Sequence, residues 1–201
     1  MARIKQTKAE LKAQREALHR YQRFLPSLQL KKEQLQSEVR RVQAALREVK
    51  QTLEDLWAEV DTWKALFAEE VGLQDLIQIQ DLHMDTVNVV GVTVRRYRSV
   101  HFARITPDLI HSPPWVDTGV DRVKKIITQQ IQSELLHQEL KILNSELRTA
   151  TQRVNLFEKI KIQDCRENIR IIRIALGEEQ TAAIARAKLA KSKAQEWSTG
   201  A

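Results

Sequence analysis

The sequence predicts an all-α dominated chain: a long antiparallel two-helix coiled coil of N- and C-terminal helices, with a small central head containing a β-hairpin. Three observations predict it. Only five of the 201 residues are Gly and four are Pro, and aromatics make up 5%, too few turns and large anchors for an ordinary compact core of this length. Apolar residues recur in alternating steps of three and four along two long stretches, the sustained form of the coiled-coil signal. Between them lies a segment rich in β-branched residues. Each long stretch has one apolar stripe, and the other stripe is the nearest surface to bury it, so the chain should fold back with its two ends together at a far tip.

The first stripe reads Leu11, Leu18, Tyr21, Leu25, Leu28, Leu35, Val39, Val42, Leu46, Val49, Leu53, Leu56, Val60, Trp63 and Phe67, interrupted by Gln14 and Lys32. At about 1.5 Å per residue, a helix over this stretch spans roughly 85 Å. Pro26 lacks a backbone donor and crowds the preceding turn, so it should kink the helix or start a new one. Gly72 should end it. The β-branched run from Thr86 to Val94, followed by Tyr97 to Phe102, predicts a hairpin or small sheet. The loop His111-Ser112-Pro113-Pro114-Trp115 leads to a second helix from near Asp121.

The second stripe runs through Leu136, Leu140, Leu143, Leu147, Ala150, Val154, Phe157, Lys161, Cys165, Ile169, Ile172 and Leu176. Two consecutive steps of four around Lys161 make a stutter, which unwinds a supercoil locally. Gly177 weakens the helix beyond. The expected divisions are a coiled-coil helix over 1–71, a head over 72–120, a second coiled-coil helix over 121–194 and a flexible tail over 195–201.

Charge is uneven along this layout. Residues 1–32 carry nine basic and two acidic side chains, a balance of +7 that equals the formal charge of the whole chain. The C-terminal stretch adds Arg186, Lys188, Lys191 and Lys193, so the tip where the ends meet is the basic end. The polar, basic N-terminus has no apolar stretch of a signal peptide behind it, and no uncharged run approaches the ~18 residues of a membrane span.

Catalytic chemistry is not indicated. Cys165 falls on the seam, where a small apolar residue belongs, with no histidine nearby in sequence to activate it. The five histidines lack metal-ligand spacing, and no phosphate-binding Gly-rich loop is present. The expectation is a non-catalytic protein with no cofactor and no metal. Two classes remain open on the residues alone: a stand-alone coiled-coil scaffold and a basic nucleic-acid-binding rod. The last lacks a recognition motif and aromatics among its charges.

Several motifs then occur in order. Thr7-Lys8-Ala9-Glu10-Leu11, the stretch Leu28, Lys31, Lys32, Glu33 and Leu35, the element Asn88-Val89-Val90-Gly91-Val92, and Arg153-Val154-Asn155-Leu156-Phe157-Glu158 with Leu176-Gly177-Glu178-Glu179 together resemble the D subunit, the central-stalk rotor shaft, of V-type and A-type rotary ATPases. Gln163, Arg95 and Pro26 depart from that family's pattern. The resemblance implies a shaft that transmits torque between ATP hydrolysis or synthesis and proton or sodium transport. It implies partners too: the catalytic and non-catalytic A and B subunits, the stalk F subunit and a socket protein on the membrane ring, with no direct nucleic acid or membrane insertion. The location implied is cytoplasmic and peripheral to the membrane. Tip residues implied to meet the catalytic hexamer are Lys8, Lys12, Arg15, Arg20, Arg173, Arg186, Lys188 and Lys191; those implied for head docking are Val89, Gly91, Val92, Arg95, Arg96 and Trp115.

Overall fold

The computed structural model describes residues 4–62, 64–69, 76–105 and 113–199. Helix α1 spans Lys8–Asp61 and is followed by a 3-10 turn, Lys64–Ala68; strands β1 (Ile79–Val89) and β2 (Val92–Phe102) come next, then helix α2 (Val116–Asn155), a π turn (Leu156–Lys161) and helix α3 (Ile162–Thr199). The chain divides into two compact units, one of residues up to Leu30 with those from Ala150 on, the other Lys31–Thr149.

Helix α1 begins with a side-chain cap. Thr7 Oγ1 accepts the backbone N–H of Glu10 at 3.3 Å, and Thr7 O accepts that of Leu11 at 3.0 Å. The residue pattern Thr-x-x-Glu suits such a start, since four N–H groups otherwise lack partners. Of the two outcomes expected at Pro26, a new helix is excluded: the proline lies inside α1. One lost backbone bond is outweighed over a helix of this length, and Ser27 Oγ donates to the Phe24 carbonyl at 2.8 Å beside the proline. The helix ends at Asp61, short of the expected boundary at Val71. Gly72 lies outside the described residues, as do His111 and Ser112.

In the larger unit, α1 buries Leu35, Val39, Val42, Leu46, Val49 and Val60, the heptad read from sequence. The facing helix runs antiparallel to it: Arg122 near the start of α2 pairs with Glu59 near the end of α1, Nη1 to Oε2 2.6 Å. Two faces of α2 are covered here. Leu135 and Glu139 are buried while Leu136 of the predicted stripe is only half-buried. The hairpin accounts for the shift, because β2 packs over α2 beside α1 and covers a second stripe.

The hairpin is antiparallel, with Val89 opposite Val92 and Val87 opposite Val94. Val90 (φ 53) and Gly91 (φ 80) form its two-residue turn. Positive φ at both central positions marks a type I′ turn, whose twist matches that of the strands. Asn88 Oδ1 accepts the Gly91 N–H at 2.8 Å and closes it. Val94 is 1% exposed and Val89 and Val92 7% each, whereas β1 is exposed along most of its length.

In the other unit, α3 also runs antiparallel to α1: Tyr21 meets Phe157 in a tilted ring contact with centroids 5.1 Å apart, and earlier in α1 Gln14 Oε1 accepts a hydrogen bond from Asn168 Nδ2 at 3.4 Å. Gln14 is therefore a polar seam contact that spans the two helices. The stutter takes the form of the π turn, and this corrects the predicted seam. Lys161 is exposed, and Ile162, 6% exposed, takes the inward place between Phe157 and Cys165. A wider turn absorbs one extra residue, so the step from Phe157 to the next inward residue is five instead of four. Beyond it, Cys165, Ile169 and Ile172 are buried as expected. Helix α3 continues through Gly177 to Thr199, past the start of the expected tail.

Candidate functional site: a basic helix pair and an anchored hairpin

The predicted residues fall into two groups. Lys8, Lys12, Arg15, Arg20, Arg173, Arg186, Lys188 and Lys191 all lie in the smaller unit, and all are exposed. Arg15, Arg20 and Arg173 stand off the inward stripe of their helices, whereas Arg186, Lys188 and Lys191 belong to a stretch of α3 in which every residue from 177 to 195 is exposed, Ile184 and Leu189 included. Lys12 reaches Glu16 at 3.9 Å with both side chains largely in water, a contact contributing about 0–1 kcal/mol. Arg15, Arg20, Arg173, Arg186, Lys188 and Lys191 make no ion pair with a described carboxylate. The surface they form can attract anionic partners.

Cys165 packs in the seam as a small apolar residue would. It is 6% exposed, and burial, reinforced by the neighbouring Asp164 carboxylate, pushes the thiol up from its ordinary value. Less thiolate at neutral pH means less reactivity. Among the described residues no group of His, Cys, Asp and Glu is arranged to hold a metal ion, and no helix is long and apolar enough to cross a membrane.

The predicted head residues divide. Val89 and Val92 are buried and serve packing. Gly91 and Arg95 are exposed. Trp115 is half-buried: its ring meets Phe67 edge-on at 5.3 Å, and its indole N–H donates to Glu69 Oε2 at 3.1 Å. That contact ties the start of α2 to the 3-10 turn.

Arg96 turns inward. Its guanidinium donates to Glu139 on α2 through Nη2 at 2.8 Å and Nε at 3.1 Å, and Glu38 of α1 stands 3.8 Å away. Arg41 holds Glu38 in turn, at 2.7 Å. The hydrogen bond that Arg96 donates to Glu139 raises the Arg96 pKa above its ordinary value against the opposing effect of burial, with the charges of Glu139 and Glu38 adding to it. Glu139 is 2% exposed; a carboxylate so buried is tolerated only when paired and hydrogen-bonded. Beside this pair, a cavity of about 230 Å³ opens between α1, β2 and α2, lined by Arg41, Val42, Arg95, Tyr97, Leu136 and Glu139 among others.

Sequence reasoning missed Glu139, Glu38 and Arg41, and also Arg166, which joins Arg15 and Arg173 across the smaller unit. A signal existed for Glu139: it interrupts an otherwise apolar cluster with Leu135, Leu136, Leu140 and Leu143. Nothing comparable marks Glu38.

The chain matches the family model for the ATP synthase D subunit over residues 10–192. It is 36% identical over 192 residues to the V-type ATP synthase D subunit of Borreliella burgdorferi, covering 96% of this chain and 95% of that one. The V-type ATP synthase D subunit of Chlamydia pneumoniae is 29% identical over 193 residues, covering 94% and 92% respectively. A match across both helices and the hairpin, at nearly full length on both sides, places this chain in the ATP synthase D-subunit family.

Proposed function

We propose that this chain is the central rotor shaft of a V/A-type rotary ATPase and works mechanically. The single observation that supports the reading most is the match over nearly the whole of both chains to proteins named as the D subunit of V-type ATP synthase. The residues explain how a chain without catalytic groups can serve an ATP-driven complex. Where the antiparallel helices bury a seam, as from Leu35 to Val49 of α1, they resist bending and twisting, because deformation exposes apolar side chains. The π turn and Pro26 make the helix pair unequal along its length. An unequal rod presents different faces to the interfaces around it, so its rotation changes which interface is closed, and ATP hydrolysis there drives the rod.

In this reading the exposed cations Lys8, Lys12, Arg15, Arg20, Arg173, Arg186, Lys188 and Lys191 lie within the hexamer of A and B subunits. The head, over 72–120, faces the membrane sector through Gly91, Arg95 and its neighbours, with Arg96 and Trp115 holding it in position. The F subunit binds the side of the shaft near the head, and a socket protein joins the head to the ion-carrying ring. The chain then resides on the cytoplasmic side of the membrane, peripheral to it, coupling ATP turnover to proton or sodium movement.

Co-purification of the tagged full-length chain from its native source, with mass spectrometry of its partners, tests this. The expected result is recovery of the ATPase catalytic subunits at stoichiometric levels. Recovery of a self-sufficient homodimer or of nucleic acid alone would overturn it.

A further inference from the structure

The cavity of about 230 Å³ between α1, β2 and α2 joins an apolar floor to a polar rim. Val42 and Ala45 of α1 and Leu135 and Leu136 of α2 form the floor; Val42 and Leu135 are buried, Ala45 and Leu136 half-buried. An apolar cavity of about 150 Å³ holds one benzene ring, so this one has room for roughly two fused rings.

The charges around it do not cancel. Three guanidinium groups, those of Arg41, Arg95 and Arg96, stand against the two carboxylates of Glu38 and Glu139, which leaves one positive charge. Arg41 is held by Glu38 at 2.7 Å and Arg96 by Glu139 at 2.8 Å. Both Glu139 oxygens already accept from Arg96, at 2.8, 3.1 and 3.4 Å, so little is left there to hold a cation. Among the described residues, the Arg95 guanidinium, the Tyr97 hydroxyl and the Gln132 amide have no side-chain partner. Arg95 is exposed; Tyr97 and Gln132 are half-buried. All three groups can donate, and the guanidinium accepts nothing. Spare donors, one spare positive charge and an apolar floor together suit an anion carried on a flat apolar body. A carboxylate fits, since its two oxygens match the guanidinium fork and its single charge matches the one left over. A phosphate monoester would bring close to two charges.

We propose that this cavity binds a small aromatic monocarboxylate, its rings on the apolar floor and its carboxylate between Arg95, Tyr97 and Gln132. The site goes beyond the rotor reading and does not require it, since every lining residue belongs to the larger unit of this chain. A bound ligand touches α1, β2 and α2 at once, so occupancy ties the hairpin more firmly to both helices and stabilises the folded unit.

The test titrates the full-length chain with 2-naphthoate, by calorimetry and by thermal unfolding. Saturable one-to-one binding with a Kd near or below about 1 mM is expected for a ligand of this size, with a melting temperature that rises with ligand concentration. Arg95→Gln should weaken binding about fivefold or more, because a charge-assisted contact is lost. Tyr97→Phe should weaken it about threefold, while Arg98→Gln, on the same strand but paired with Asp85 at 3.4 Å, should leave it within about twofold. The neutral analogue 2-naphthamide should bind about fivefold more weakly than the acid, or worse. Ala45→Leu fills the floor and should abolish binding while the helical circular-dichroism spectrum is kept. Undiminished affinity in Arg95→Gln, equal binding of the amide, or no saturation by about 10 mM overturns the site. Full binding by a folded Ala45→Leu chain also overturns it; if that variant loses its fold, the Arg95→Gln and amide comparisons decide alone.

Discussion

Cutting the bond between Arg96 and Glu139 should destabilise the larger unit unequally, depending on which partner is removed. Glu139 is 2% exposed, whereas the Arg96 side chain keeps 29% of its surface. Arg96→Met strands a buried carboxylate that has lost both N–H donors, and removing one partner of a buried pair costs about 3–5 kcal/mol. Glu139→Gln leaves a neutral amide that can still accept from Arg96, and leaves the guanidinium near Glu38 and water; its cost should be about 1–2 kcal/mol. The double variant Arg96→Met with Glu139→Leu strands nothing and should recover most of the loss, giving a coupling energy of about 2 kcal/mol or more. Urea denaturation of these variants, of Glu139→Leu alone and of the unmodified chain, with unchanged m values, measures this. Heat offers a second readout, since about 1 kcal/mol shifts Tm by roughly 2–4 °C in a chain of this size. An Arg96→Met cost below that of Glu139→Gln, or additive single effects, would refute the argument that a buried pair anchors the hairpin to α2.

Further outcomes follow from particular positions. Ile162→Ala should cost about 2–5 kcal/mol, as large-to-small changes in a buried seam do, while Lys161→Ala should stay within about 0.5 kcal/mol; the reverse order in urea midpoints would place the π turn wrongly. Val90→Asn should stabilise by up to about 1 kcal/mol, because Val90 sits at φ 53 where Asn is tolerated far better than a β-branched residue, and a lowered Tm would count against the turn. With the Cys165 thiol raised in the folded chain, the unfolded chain loses its proton first as pH rises, so stability is complete below the ordinary thiol range and falls as pH climbs through and above it. A Cys165→Ala variant should lose that slope, and a thiol reagent at neutral pH should react only after denaturant is added. Arg15→Ala alone should leave the ATPase rate of the assembled complex nearly unchanged, since exposed single pairs contribute about 0–1 kcal/mol; replacing Lys8, Lys12, Arg15 and Arg20 together should lower assembly or torque, with the loss depending on salt because charges are screened beyond about 8 Å at physiological ionic strength. An abrupt loss from Arg15→Ala would remove the collective account.

Much of this molecule is legible in its sequence because a heptad has one simple physical meaning. The inward positions from Leu35 to Val49 are read without error: residues spaced three and four apart must share a face. Even Gln14, an apparent defect in the series, keeps its inward place by bonding to Asn168. Reading fails where two elements share one surface or where the turn changes width. Leu135 and Glu139 are buried because β2 covers them, and no periodicity within α2 announces a strand from elsewhere in the chain. At Lys161 the spacing signals a disturbance, but steps of four and four or of five and three both lead from Phe157 to Cys165 until the π turn distinguishes them. For the candidate site, sequence supplies the sign of the charge and its concentration at the chain ends. It does not show which cations are compensated, because Arg15 and Arg166 meet only after folding.

The central claim is that this chain turns. The most direct measurement fixes the catalytic hexamer of the purified complex to a surface, attaches a gold nanorod to a cysteine introduced at Thr93 beside the exposed hairpin turn, and follows the rod under ATP. The account predicts rotation in one direction, at a rate that tracks ATP hydrolysis and stops when ATP is exhausted. Hydrolysis at full rate with the nanorod stationary would contradict it.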